Sequence, residues 1–426
     1  MKKLITLALF LCLFWPFGMA GAEERIKKTL PEVVVTESRI EETRKEVTTN
    51  VVIIPEEEIQ RSPAKDLGDL LAEKGLPIIK YPGTLASTQI RGFRTEVTGN
   101  DLLSRVLVLI DGRRASTGNL AKILTKNVER IEIITGPASV QYGSAAMGGV
   151  INVITKQGRD KPSTFLEGKM GSWGYEEGTV GFDGKYDRFD FSASFTRDTM
   201  DDYDTGGGKK YYNTGYKSRE SASINLGYEF ISGNRLGILY HYFDGKHIGT
   251  PDYITANDMD DYAEKKLYSW DLVYSGKTRD NKILWTGRYF EGKDKNAWVD
   301  PVDSNPDGWD DGIPTESQIK QKGGQAQISS DLDVILASLG FDWVKYDVTN
   351  SWDPKESTYD NPAYYLLIKS KFFDKRLIAS GGIRYDKYEV EVKGGQGGAQ
   401  SSDKFSPRFG LAYLITNNLK IRTNYG

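Results

Sequence analysis

Residues 128–156 read V-E-R-I-E-I-I-T-G-P-A-S-V-Q-Y-G-S-A-A-M-G-G-V-I-N-V-I-T-K, from Val128 to Lys156, and this stretch decides the fold. Two β-branched runs, 131–135 and 150–155, flank a knot of Gly, Pro and small residues. Each run predicts a short buried strand, and the middle predicts a tight turn region. Gly136-Pro137 ends the first strand, because Pro cannot donate to a ladder. Gly143, Gly148 and Gly149 permit positive φ or close backbone approach. A phosphate loop is excluded: the spacing from Gly143 to Gly148 fits, but Gly149 stands where the lysine belongs. By periodicity alone, the segment is an ordinary strand-turn-strand unit.

At the start, Lys2 and Lys3 precede an apolar run over residues 4–17, followed by Ala20-Gly21-Ala22. This is the pattern of a secretory signal peptide cut after Ala22. The run is too short to span about 30 Å of hydrocarbon as an anchor. Cys12, the single cysteine, lies inside it, and Leu11 stands where a lipoprotein needs a small residue. The mature chain is therefore expected to have no thiol, disulfide or cysteine-bound metal. Without Lys2 and Lys3 the 56 basic residues become 54 against 59 acidic, a net charge near −5. That balance lacks the clustered basic face of a nucleic-acid binder. No later run of about 18 apolar residues predicts a membrane helix. An exported chain with 24 Tyr, 8 Trp and 45 Gly suits a membrane β-barrel.

Several further motifs stand in order before residue 128. Glu32-Val33-Val34-Val35-Thr36 is a β-branched run among charged neighbours. Pattern alone makes it the first strand of a globular domain; an exposed, unpaired strand there would be a template for β-augmentation. Residues 51–54 predict a strand broken by Pro55, and 56–59 a helical turn. Ser62-Pro63 looks like an N-cap followed by Pro at the first helical position, with Leu67, Leu70 and Leu71 at helical spacing. That helix is expected to end near Gly75. Then come Gln89-Ile90-Arg91-Gly92-Phe93-Arg94 and a buried strand, 106–110, entering an Asp111-Gly112 turn.

Together these motifs, over residues 32–156, resemble the plug domain of TonB-dependent outer-membrane receptors, and 128–156 is similar to its closing segment nearly residue for residue. The resemblance makes Arg91, Gly92, Phe93, Asp111, Gly112, Gly136, Pro137, Tyr142, Gly143, Gly148 and Gly149 structural plug positions. It also implies that Glu32, Val33, Val34, Val35 and Thr36 are a TonB box, gripped by the TonB complex of the inner membrane. Only nine residues, 23–31, precede it after the cleavage site, which leaves no room for an extra signalling domain. Loops 81–88 and 95–104 are then expected to point outward, with Tyr81, Arg94 and Asn100 as candidate ligand contacts. Plain turn residues are the alternative.

From residue 164 the pattern changes to period two. Phe189, Phe191, Ala193 and Phe195 alternate with polar residues, as do Tyr268, Trp270, Leu272 and Tyr274. In a soluble sandwich the greasy face would point inward; in an outer-membrane barrel it faces lipid. We count about 13 such segments in residues 158–426, with short links at 186–188 and 232–234. Longer links at 198–216, 249–264 and 296–316 read as extracellular loops. A plugged barrel needs about 22 strands, so the chain is expected to be C-terminally truncated; it also lacks the aromatic C-terminal residue common in the class. The expected organisation is a signal peptide over 1–22, a periplasmic segment over 23–38, an α+β plug over 39–157 and a partial all-β antiparallel transmembrane barrel over 158–426.

The resemblance implies uptake of a scarce large nutrient, a ferric siderophore first and cobalamin or another metal chelate second, at the cell outer membrane. Asp198, Asp201, Asp202 and Asp204, and Asp252, Asp258, Asp260 and Asp261, form acidic clusters that could bind calcium, as in cobalamin receptors of this family. A solvated acidic surface is the plainer reading. No other cofactor is expected. His241 and His247 are the only histidines, which makes haem a weaker candidate; His241 falls in a strand and reads as a lumen or packing residue. No G-x-S-x-G or H-E-x-x-H motif occurs, so no enzyme is expected. A secreted all-β glycan-binding or glycan-cleaving protein using a carboxylate pair is the reading of another class.

Overall fold

The computed structural model describes residues 33–34, 39–40, 42–43, 45–81, 85–97, 101–136, 138–251, 259–302, 312–394, 397–416 and 419–426. The signal-peptide segment, Glu32, Val35, Thr36, Asn100, Pro137, Asp252 and Asp258 lie outside them.

Residues 39–156 form a small α+β unit. Its sheet has the order β3–β9–β10–β7–β8: β3 (Asn50–Pro55), β9 (Val128–Thr135), β10 (Gly149–Thr155), β7 (Val106–Ile110) and β8 (Arg113–Arg114). Strands β9 and β10 are antiparallel neighbours, as the two β-branched runs predict, and β10 runs parallel to β7. Every residue of β7 is buried. The cause is two-sided burial, which makes a strand read as a continuous apolar run. Ile131, Ile133 and Ile151 face one core with helix α2 (Leu67–Glu73), while Ile134, Val150 and Leu107 face a second with Tyr142. Helix α1 (Glu56–Arg61) follows β3 directly.

The start of α2 differs from the expectation. Its N-cap is Asp66, whose side chain accepts a hydrogen bond from the Asp69 amide at 3.0 Å. Ser62 instead donates to Glu73 at 2.7 Å and accepts from the Ala64 amide at 3.0 Å. Pro63 therefore sits in the connector rather than at the first helical position.

Glycines mark the tight places. Asp111 and Gly112, at φ of 50° and 82°, make the two-residue turn from β7 to β8, the mirror-image hairpin turn that demands positive φ at both positions. A Cβ on Gly149 would lie 2.3 Å from the Ile134 carbonyl oxygen across the β9–β10 ladder, so close approach rather than φ requires glycine there.

Residues from 163 onward form one sheet of thirteen strands, β11 (Ser163–Met170) to β23 (Leu419–Tyr425), each antiparallel to its sequence neighbour. Connections alternate between short turns, such as 187–188 and 232–233, and longer ones, such as 201–215 and 250–261. Along β16 (Tyr262–Lys277), Tyr268, Trp270, Leu272 and Tyr274 are exposed while Ser269 and Asp271 are buried. The greasy face thus points out and the polar face points in. That polarity is opposite to a two-sheet sandwich and is the polarity of a lipid-facing wall. The sheet wraps the first unit and is not closed: β11 and β23 each have one neighbour. Among the described residues no helix is long and apolar enough to cross a membrane.

Candidate functional site

The inward face of the wall is polar because the plug is charged, and the two meet through buried ion pairs. Arg113 on β8 is fully buried; its Nε donates to both Asp271 oxygens at 2.8 and 3.1 Å. Lys122 pairs with Asp294 and donates to Asn296 at 2.8 Å. Asp66, besides capping α2, accepts from Lys80 and from Arg219, each at 3.2 Å. Arg39 and Arg384 both pair with Asp342, each at 2.6 Å. These plug residues were not singled out from the sequence. The available signal was charge on the inward positions of alternating strands, such as Asp271 in β16.

Burial and pairing act oppositely on the plug groups. Burial pushes the Asp66 carboxyl up, but Lys80, Arg219 and the Asp69 amide more than offset this and hold it below the usual carboxylate range. Burial of Asp101 wins over Arg114 and Tyr346, and its carboxyl is raised. Burial likewise lowers the Lys122 ammonium in spite of Asp294.

The pairs also orient the plug. Glu42 and Glu46 bind Lys369 and Lys371 at 2.5 and 3.0 Å, near the Phe372 end of β20 (Glu356–Phe372), where a short turn follows. Asp66 and Leu102 sit toward the opposite end, where the longer connections lie, against Arg219 and against Tyr346 and Val348. Of the predicted leading strand, Val33–Val34 forms β1 and pairs with β2 (Glu42–Thr43). In a two-stranded sheet the other edge of β1 has no strand neighbour among the described residues.

The candidate ligand residues Tyr81 and Arg94 end strands β4 (Ile78–Tyr81) and β6 (Phe93–Arg94), both exposed. The motif positions cluster tightly. The Arg91 guanidinium lies over Gly136, and a Cβ on Gly148 would meet the Phe93 Cβ at 2.7 Å and the Ile90 carbonyl oxygen at 2.8 Å. Gly143, at φ 85°, follows α3 (Ser139–Tyr142); the Tyr142 carbonyl accepts from Arg114 at 3.1 Å. His241 lies 3.8 Å from Asp111 and lines a cavity of about 50 Å³ with Thr155, Lys122, Ser194 and Ser223.

The acidic cluster does not assemble. Asp198 is buried in β13 (Phe189–Met200), bound to Arg219 at 2.6 Å and to the Tyr216 hydroxyl at 2.7 Å. Asp202 accepts the amides of Thr214 and Gly215 at 2.8 and 2.9 Å, and the Asp204 backbone forms an isolated antiparallel β-bridge with that of Lys210. The Asp198 and Asp202 carboxylates are engaged by an arginine and by a turn, and Asp201 stands by Gly174. Among the described residues no group of three or more His, Cys, Asp or Glu is placed to hold a metal.

Residues 43–150 match the family model described as the TonB-dependent receptor plug domain, and 169–426 match the TonB-dependent receptor-like β-barrel, the latter over more than half the chain. Solved structures share the fold. The ferric yersiniabactin uptake receptor from Yersinia pestis is 16% identical at a TM-score of 0.71, covering 88% of this chain and 64% of its own. The FrpB iron transporter from Neisseria meningitidis is 17% identical at 0.75, over 90% of this chain and 64% of its own. The ferric-catecholate import receptor Fiu from E. coli K12 is 16% identical at 0.71, over 90% and 70%. The chain thus spans less than two thirds of the first two. Both family models fall on the units seen here, a charged plug and the sheet wrapped around it: the chain belongs to the TonB-dependent receptor family of outer-membrane β-barrel proteins.

Proposed function

We propose that this protein is an outer-membrane importer of a metal chelate, with a ferric siderophore as cargo, driven by the TonB complex. The observation that carries the reading is the polarity of the plug. Glu42 and Glu46, just behind the leading strand, are anchored at the short-turn end of the wall, while Asp66 and Leu102 sit toward the long-connection end. In a barrel of this class short turns face the periplasm. A pull on residues 32–36 from that side would act on the plug directly, through β-augmentation by the motor protein. The outer membrane has no nucleotide supply, so energy must arrive mechanically. On the other side Tyr81, Arg94 and Asn100 would meet the cargo, and residues 1–22 would direct export.

Deletion of residues 32–36 should abolish siderophore-dependent growth under iron limitation and leave chelate binding to whole cells intact. Unchanged growth would refute the handle. The cargo is tested by growth on a siderophore panel against growth on cobalamin; response to cobalamin alone would overturn the iron reading.

A further inference from the structure

Halfway along the wall, a cavity of about 30 Å³ lies between it and the plug. Arg39, Arg114 and Tyr142 line it from the plug. Gln325 on β18 (Thr315–Asp331), Asp342 on β19 (Ile335–Asn350) and Arg384 on β21 (Leu377–Lys393) line it from the wall. Three guanidiniums thus converge on one space, and a guanidinium is always charged in a protein. A Cβ on Gly143 would lie 3.4 Å from Arg114 Nη2 and 3.6 Å from Arg384 Nη2, so both amino groups border the same point.

The donors are not all used. Arg39 pairs with Asp342 and donates to the Gln141 carbonyl, yet its Nε is buried with no hydrogen-bond partner among the described residues. Arg114 donates to the Tyr142 carbonyl through Nη2, and its Nη1 is likewise buried and unpartnered. Arg384 reaches Asp342 and Asp386 through Nη1 and Nε, which leaves Nη2. The Gln325 side-chain amide has no hydrogen-bond partner among the described residues.

The carboxylates around the cavity are already committed. Asp342 serves Arg39 and Arg384, and Asp386 serves Arg384. Asp101 is 3.9 Å from Arg114 Nη1, beyond hydrogen-bond reach, and burial raises its carboxyl toward the neutral form. Asp271 is held by Arg113, and Asp111 accepts from the Thr155 amide and hydroxyl, each at 2.8 Å. Arg288 on β17 (Ile283–Val299) stands opposite Gln325 in register and adds a further cation. It lies 3.5 Å from Asp271, but its Nε and Nη1 make no hydrogen bond among the described residues.

Buried N–H groups without partners are costly, and buried charge more so. Water would satisfy the N–H groups but not the charge. The cavity has room for about two water-sized groups, the span of the two oxygens of one carboxylate. Guanidinium forks match that planar geometry.

We propose that this cavity is a carboxylate-binding site shared by plug and wall, with Arg39, Arg114, Arg384 and Gln325 as its donors. The bound carboxylate ties two plug arginines to two wall residues. Arg39 lies three residues beyond Thr36, so an occupied site would resist a pull on residues 32–36. That consequence rests on the import reading; the binding itself does not.

The test uses the full chain in detergent, at constant ionic strength balanced with sodium chloride. Sodium formate is the free carboxylate, and ferric citrate is a carboxylate carried on a chelate. The readout is amide hydrogen exchange over residues 139–146. Millimolar formate should slow exchange there at least fivefold relative to chloride alone, with little change in β16. Gln325→Leu, which breaks no ion pair, should raise the formate midpoint at least threefold, and Arg114→Gln more than tenfold. If the Arg114 variant fails to fold, Gln325→Leu and the comparison of anions on the parent decide. Slowing by ferric citrate alone, weakened by Gln325→Leu, would support the site and place its carboxylate on a larger molecule. Equal exchange in formate, ferric citrate and chloride, or an unchanged midpoint in Gln325→Leu, would overturn the proposal. Growth on the siderophore panel is scored separately, so failure of the import reading is distinguished from failure of this site.

Discussion

Replacing Arg113 by Met probes whether buried charge holds the plug in its seat. The guanidinium is fully buried, makes a two-oxygen contact with Asp271 and also donates to the Arg114 carbonyl at 2.5 Å. Its loss leaves the Asp271 carboxylate inside the wall with one remaining cation, Arg288, at 3.5 Å. Removing one partner of a buried pair costs 3–5 kcal/mol, and Arg288 places this case at the lower end, about 3 kcal/mol. That loss should raise amide hydrogen exchange in β7, β8 and β10 more than a hundredfold, with the outer strands of the wall much less affected. Asp271→Asn alone should cost a similar amount. The double variant should cost less than the sum, by at least 1 kcal/mol, because each change removes the other's stranded charge. Additivity within about 0.5 kcal/mol, or an Arg113→Met effect under 1 kcal/mol, would refute the reasoning.

Other perturbations follow from the same geometry. Gly149→Ala places a methyl 2.3 Å from a ladder carbonyl and should lower plug stability by about 1–3 kcal/mol; Gly168→Ala, with open space around it, should be near neutral by thermal unfolding. The Asp66 carboxyl is held below its unfolded value, so its contribution is complete above about pH 4 and is lost as pH falls through the folded value. Asp66→Asn should therefore be less stable than the parent at pH 6, and the gap should narrow on acidification to pH 3 in hydrogen exchange. Lys265 is buried with no hydrogen-bond partner among the described residues, its ammonium 4.1 Å from the Trp298 ring centroid. Lys265→Met should raise the unfolding temperature; a drop of several degrees would show that the cation is needed.

What could be read from the chain depended on range. The Asp111-Gly112 turn was legible because its chemistry lies in two adjacent residues, and the alternation in β16 because period two is local. The cap of α2 was not, since Ser62 and Asp66 both suit the role. The choice is made by distant groups: Arg219 stands 153 residues from Asp66. Arg113 and Asp271 are 158 residues apart, and neither announces the other. Acid density made Asp198 resemble a calcium ligand, but the hairpin register sets it opposite Arg219, which takes its charge.

One tie between plug and wall bears on how the molecule is built. Inward residues of β23 reach the segment before β3: Lys420 donates to the Val47 carbonyl at 2.8 Å, Arg422 to Thr49 at 3.0 Å and Asn424 to Thr48 at 2.7 Å. Each contact spans more than 370 residues, whereas every wall hairpin joins sequence neighbours. Local hairpins form quickly and distant contacts slowly, although lengthening a loop adds only about 0.6 kcal/mol per doubling. The seat must therefore be laid down hairpin by hairpin before this part of the plug can settle, so a stalled late hairpin would leave residues 47–49 exposed to proteases.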